Sequence, residues 1–304
     1  MKSRIAVLLL LLLGVMVTAA ALLPSSADHA TASAAQSRPP KPPVPLPTPT
    51  PSATPVPSHT ATPGAGPEET ARSALDALGP YTGRYALAVE DLTSGRSFTH
   101  GAFTADFTCA SIIKVDILAA LLLQAQDRGD ELTAEQRQLA SAMIRLSDND
   151  AGQELWIGIG RRQGLDAANA RLGISAAHAG QRGAWGLTQT TAPDQIALLK
   201  SVFTAKSPLT AGSRSYMRSL MSDVIAGQNW GVGAASSPTV TPVLKNGWLS
   251  RETTKLWVVN SMGVVEYGGH SMLVVVLTDS QLTREAGISL IEQTATAAVH
   301  AMAG

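Results

Sequence analysis

At 304 residues the chain is long enough for one good-sized domain with appendages. A formal charge of +0, with 15% charged residues, leaves no basic excess of the kind nucleic acid requires. Aromatics at 4%, against abundant Ala, Leu, Val and Gly, exclude an extended stacking surface and point to an interior built from small side chains.

The chain opens with Met1-Lys2-Ser3-Arg4, then an apolar run from Ile5 to Leu23, then small residues. A basic start and a hydrophobic stretch read as an export signal, cut after Ala27 or Ala34. The run is also long enough to stay uncut as a single membrane anchor, so both readings of residues 1–35 stand. Either one places the folded part outside the cytoplasm, with membrane contact only through residues 5–23.

Residues 36–67 are rich in Pro, Thr, Ser and Ala, a composition that favours extended polyproline II and cannot bury a core. They read as a spacer. The folded domain is expected over 68–304. Cys109 is the sole cysteine of the chain, so no internal disulfide forms, and its apolar neighbours mark it as a small buried hydrophobe.

Apolar spacing predicts a helix from Glu68 to Leu78, stopped by Gly79-Pro80. Tyr85 to Leu92, a turn at Thr93 to Arg96 and Ser97 to His100 read as a hairpin. From Phe107 a short polar lead-in gives way to a run to Leu123 that is apolar on every side, which belongs in the middle of a domain. Thr133 to Gln136 is a capping box opening a helix to about Leu146.

Short helices and glycine-containing loops follow from Asp150 to Lys206, one helix beginning at Thr191-Ala192-Pro193, and Leu209 to Ile225 is amphipathic. Val243 to Leu249, Leu256 to Val265 and Ser271 to Thr278 read as strands, and a helix from about Thr283 to Met302 closes the chain. No internal repeat is visible. Early strands, a helical insertion and late strands imply one mixed domain with a cleft between its sheet and its helical part.

Three polar elements stand out. Ser111 and Lys114 lie three apart at the head of the buried helix, on one face, which sets a hydroxyl nucleophile beside an amine. Burial eases loss of the lysine proton, and a helix start favours an oxyanion nearby. Ser147-Asp148-Asn149 sits where the chain must turn, and Lys245-Asn246-Gly247-Trp248 lies on the first late strand. Alone, each has an ordinary structural reading: a capping serine, an Asx turn, an edge-strand lysine.

Together and in this order they resemble the class A β-lactamase and penicillin-binding protein superfamily, from about residue 68 to the C-terminus. Gln228-Asn229-Trp230-Gly231-Val232-Gly233 and the strands around Trp257 and Met272 extend the likeness. The resemblance implies an α/β (α+β) sandwich: a five-stranded antiparallel sheet flanked by terminal helices, plus an all-helical subdomain. It also implies acyl transfer. Ser111 attacks a β-lactam or D-alanyl peptide carbonyl, Lys114 takes its proton, and Ser147 relays a proton to the leaving nitrogen. Asn149 binds a side-chain amide and orients Lys114, and Lys245 and Asn246 receive a carboxylate. Gly247 leaves room for a substrate strand, and the Trp248 backbone N–H joins that of Ser111 in holding the oxyanion.

The chain departs from that pattern in several places. The stretch from Ser111 to Ser147 is short, Asn246 stands where Ser or Thr is usual, and Trp248 is bulky enough to narrow the cleft. Ala167 to Pro193 holds no Asp or Glu, although class A enzymes carry a deacylating glutamate on the equivalent loop. His178 is the candidate substitute base on that loop, its ordinary reading being a solvated loop histidine, while Glu154 and Asp166 are expected at solvent. Arg251 and Lys255 are the nearest cations for a substrate carboxylate. The expected activity is that of an exported β-lactamase-like serine hydrolase with slow turnover. The alternatives are a D-alanyl-D-alanine peptidase or transpeptidase, and a non-catalytic wall-binding or β-lactam-sensing module. With no metal cluster or phosphate-cradling loop in sight, no cofactor is expected.

Overall fold

The computed structural model describes residues 65–175 and 184–304. The leader at 1–35, the spacer up to residue 64, and His178 lie outside the described residues.

The fold begins with α1 (Pro67–Ala77), where Pro67 occupies the first turn and its missing N–H costs nothing. β1 (Arg84–Asp91) and β2 (Ser97–Gly101) form the expected hairpin. A two-residue strand, β3 (Phe107–Thr108), and a 3-10 turn at Ala110–Ile112 lead into α2 (Ile113–Arg128), closed by Gly129 at φ 71°.

Every residue of α2 from Ile113 to Leu123 is buried, as its all-round apolarity requires. α3 (Ala134–Ser141), α4 (Asn149–Gly158), α5 (Arg161–Leu172), α6 (Ala192–Phe203) and α7 (Ala211–Ser222) supply the rest of the helical part, with α4, α5 and α7 packed on α2. A second two-residue strand, β4 (Gln189–Thr190), pairs with β3.

β5 (Val243–Ser250), β6 (Trp257–Tyr267) and β7 (His270–Gln281) are followed by α8 (Arg284–Met302). The five long strands make one antiparallel sheet in the order β2-β1-β7-β6-β5. β1 beside β7 joins the two ends of the domain, and β5 is an edge.

Side chains alternate across the sheet. Leu87, Val89, Met272, Val274 and Val276 face Ala71 and Leu75 of α1 and Ile291, Ala295 and Val299 of α8. Ala86, Ala88, Leu273, Val275 and Leu277 face the other way, in one cluster with Ile117 and Leu118 of α2 and Leu198 and Leu199 of α6. Each large aliphatic chain buried in these two layers contributes roughly 1.5–3 kcal/mol. The mixed sandwich expected from the sequence is what forms.

Two details differ from the sequence reading. The capping box is present, with Thr133 Oγ1 accepting from the Gln136 N–H at 3.1 Å and Gln136 Oε1 accepting from the Thr133 N–H at 2.9 Å. Its helix nevertheless stops at Ser141, and Ala142–Leu146 winds as a π-turn that ends at Ser147 in the left-handed region, φ 58°. The β3–β4 pair was not anticipated, because two-residue strands carry no periodicity. No described helix is long and apolar enough to cross a membrane.

Candidate active site

Ser111 stands in the 3-10 turn just ahead of α2, and the residue before it, Ala110, has φ 49°. A left-handed alanine is a strained position. It is held by Asn260 on β6, whose Nδ2 donates to the carbonyls of Thr108 at 2.8 Å and Cys109 at 2.9 Å, while its Oδ1 accepts from the Thr278 N–H at 3.0 Å. This fully buried amide in a strand of valines pins the approach to Ser111 onto the sheet. Sequence reasoning missed it, although a lone amide among buried apolar neighbours is the available signal.

β5 comes so close to that turn that a Cβ on Gly247 would stand 2.6 Å from the Ser111 nitrogen and 2.8 Å from that of Ile112. The space the glycine leaves is therefore filled by the backbone of the Ser111 turn, not held open for a substrate strand as expected. The same closeness brings the edge of β5 to the Ser111 N–H.

Lys114, on the first turn of α2, is fully buried. Its Nζ lies 2.6 Å from the Ser147 carbonyl oxygen, 2.8 Å from Asn149 Oδ1, 3.2 Å from Ser111 Oγ and 3.3 Å from Ser147 Oγ. The carbonyl and the amide oxygen only accept, and they make the two shortest contacts, so two N–H bonds are spoken for. In the neutral amine the remaining lone pair then faces the hydroxyls. Burial, partly opposed by Asp148, lowers the Lys114 pKa to about 8.

Asp148 itself caps α4, its Oδ1 accepting from the Ala151 N–H at 2.8 Å. In Ser147-Asp148-Asn149 the middle residue is structural and the outer two face Lys114.

Lys245 Nζ donates to Ser147 Oγ at 2.9 Å and to the Asn246 carbonyl at 2.7 Å. The Ser147 hydroxyl thus bridges two lysines. Burial and then the neighbouring Lys114 charge push the Lys245 pKa well below its usual value.

Strand alternation turns Asn246 and Trp248 away from this group. Asn246 is 1% exposed, and its Nδ2 donates to the carbonyls of Gln228 at 2.9 Å and Trp230 at 2.7 Å. Both amide hydrogens are committed, which leaves none for the substrate carboxylate it was expected to receive. The Trp248 ring lies on the α8 side of the sheet, edge-on to Trp230 at 5.8 Å, with the Arg284 guanidinium 4.8 Å from its centroid. It does not crowd the Ser111 side, as its bulk had led us to expect.

Of the two cations considered for a carboxylate, Arg251 donates to Thr108 Oγ1 and Lys255 is exposed in a turn at φ 60°. Glu154 and Asp166 are exposed as expected, Asp166 paired with Arg162 at 3.2 Å. Cys109 is buried, and burial holds its thiol pKa well above the usual range. Among the described residues no carboxylate is hydrogen-bonded to Ser111, and no cluster of His, Cys, Asp and Glu has the make-up of a metal site. Instead the Trp185 ring lies beside Lys114, its centroid 5.1 Å from Nζ. Nothing in the sequence had marked that tryptophan.

Residues 126–302 match the family described as the β-lactamase enzyme family, a span that includes Ser147, Asn149 and Lys245 and begins after Ser111 and Lys114. No curated protein matches the chain at a significant level. Solved structures with a similar fold include a class A β-lactamase representative from Bacteroides cellulosilyticus DSM 14838 (14% identity, 78% of this chain and 99% of that one, TM-score 0.68). The TLA-1 extended-spectrum β-lactamase is similar at 13% identity over 78% and 99%, TM-score 0.69. A mutant of PBP-A, solved as its acyl-enzyme complex with penicillin G, is similar at 19% identity over 77% and 95%, TM-score 0.64. At these identities the likeness is one of fold.

Proposed function

The chain belongs to the β-lactamase enzyme family, and we propose on that footing that it is an exported serine hydrolase that forms an acyl-enzyme on Ser111 with β-lactams and releases it slowly. One observation carries the reading: Lys114 Nζ sits 3.2 Å from Ser111 Oγ, with two of its bonds fixed by Ser147 O and Asn149 Oδ1.

In the proposed reaction the Ser111 Oγ–carbon bond forms as its proton passes to the neutral Lys114 amine. The carbonyl π pair moves to oxygen, where the N–H groups of Ser111 and Trp248 receive it. As that pair returns, the C–N bond breaks, and the leaving nitrogen takes its proton through Ser147 Oγ, which is resupplied by Lys114. Lys245 stabilises the charge on this relay and attracts an anionic substrate. Asn149 orients Lys114 and binds the substrate amide.

Slow release follows from the loop between Ala167 and Pro193, which has no carboxylate to activate water. The same feature favours a second reading, a penicillin-binding D-alanyl-D-alanine peptidase or transpeptidase whose acyl group passes to an amine on cell-wall peptide. Export rests on the basic and apolar start of the sequence, whether residues 5–23 are cut away or stay as an anchor, with residues 36–67 as the spacer and 68–304 as the catalytic domain.

The test is to incubate the protein and a Ser111→Ala variant with a labelled penicillin and a chromogenic cephalosporin. Colour turnover supports the lactamase. A stable Ser111-dependent label without turnover supports the peptidase, and no label on the parent removes both.

A further inference from the structure

The loop that lacks a carboxylate is not empty on its Lys114 side. Trp185 presents its ring to the Lys114 amine, 5.1 Å from Nζ, and its indole N–H donates to Gln153 Oε1 on α4 at 3.0 Å. Gly152 of α4 borders both groups: an added Cβ would stand 3.2 Å from Lys114 Cε and 3.5 Å from Trp185 Cζ2. A methyl there would press the lysine stem by a few tenths of an ångström and touch the ring, so the ring, the α4 backbone and the lysine stem pack together.

The turn carrying the ring is itself anchored. The Trp185 carbonyl accepts from Thr188 Oγ1 at 2.7 Å, and the Thr188 carbonyl accepts from the Cys109 N–H at 2.8 Å, two residues before Ser111. β3 pairs with β4 just beyond. The ring is thereby fixed to the same backbone segment that presents the nucleophile.

We propose that Trp185 is a positioning residue for Lys114 and the seal over it: the ring holds the amine at Ser111 and keeps water from reaching the acyl ester from the loop side. The inference rests on the acyl-transfer reading above and deepens it, because it assigns the long life of the acyl-enzyme to a residue that is present as well as to a carboxylate that is not. Hydrolysis would form a water oxygen–carbon bond and break the carbon–Ser111 Oγ bond, with the water proton passing to Lys114 and from it to the departing Ser111 Oγ. The ring closes the side from which that water would approach the amine. The charges that act on Lys114 are those of Lys245 on β5 and, at longer range, of Asp148 at the head of α4, and Trp185 lies beside it from the loop.

Three substitutions in the full chain separate the two roles. Trp185→Phe keeps a ring, Trp185→Leu keeps bulk without a π face, and Trp185→Ala keeps neither. Each is followed by melting temperature and by acylation and deacylation rates with a labelled penicillin between pH 6 and pH 10. We expect Phe to behave as the parent. Ala should release its acyl group about 10²-fold faster, the low end of general-base effects. Its acylation midpoint should move upward as water reaches Lys114. Leu should keep the slow release and lower the midpoint, having lost the ring face that favours the ammonium.

Ala and Leu variants that melt like the parent and keep both its midpoint and its release rate would overturn the proposal. If Ala fails to fold, the Leu midpoint still decides. Absence of Ser111-dependent label on the parent would instead overturn the acyl-transfer reading, and this proposal with it.

Discussion

Lys114 and Asp116 lie two residues apart on α2, both fully buried, and they meet burial in opposite ways. Lys114 reaches four oxygen acceptors and an aromatic face, and its pKa falls to about 8. Asp116 has only the Gln195 amide beside it and no cation, and burial raises its carboxyl pKa to about 8. Desolvation removes charge from both, so a shifted pKa alone does not mark a site. What distinguishes Lys114 is that its partners direct the freed lone pair at a hydroxyl. Asp116 is buried beside Gln195, with no hydrogen bond to Ser111.

The largest effect that tests this contrast comes from the lysine. Lys114→Ala should slow labelling of Ser111 by about 10²–10⁴-fold, the range for loss of a general base, with the melting temperature little changed. Labelling at the parental rate would erase the distinction.

Next is the packing that presents the nucleophile. Gly247→Ala forces a methyl against the backbone of the Ser111 turn and should cost roughly 1–3 kcal/mol of stability, together with much of the acylation rate. Calorimetry and the labelling assay read the two together.

The smallest effect concerns Asp116. Its folded pKa of about 8 is above the unfolded value of about 3.9, so the stability this group contributes is complete below pH 4 and is lost as pH rises through 8. Asp116→Asn should match the parent near pH 4, melt higher than it near pH 8, and leave acylation unchanged. Parallel melting curves at all pH values would show that Asp116 is not the neutral acid described.

The elements visible in the sequence were those whose cause is local or periodic. The all-round apolar run of α2, the Thr133 capping box and the alternating β7 each carry their signal in consecutive residues. A sheet shared between the two ends of the domain followed from strands at both ends, though not that β7 is the strand beside β1. Ser111, Lys114, Ser147, Asn149 and Lys245 were visible as motifs; Ser111, Ser147 and Asn149 meet at the Lys114 amine, and the Ser147 hydroxyl links it to Lys245.

What escaped depends on contacts distant in sequence. That Gly247 yields to the Ser111 turn, that Asn260 pins the Cys109 carbonyl and that Trp185 covers Lys114 are facts of close approach between separate elements. One error was avoidable. Lys245 and Asn246 are successive strand residues and point to opposite faces, so both could not receive one substrate carboxylate.

The pH dependence of Ser111 acylation tests the central claim most directly, because a neutral Lys114 amine is required to take the proton. With the Lys114 pKa at about 8, about a tenth of the molecules are competent at pH 7. The labelling rate should climb about tenfold per pH unit below that value and level off above it. A rate that is flat from pH 6 to pH 10, or a rising limb that survives in Lys114→Ala, would contradict the assignment of Lys114 as the base.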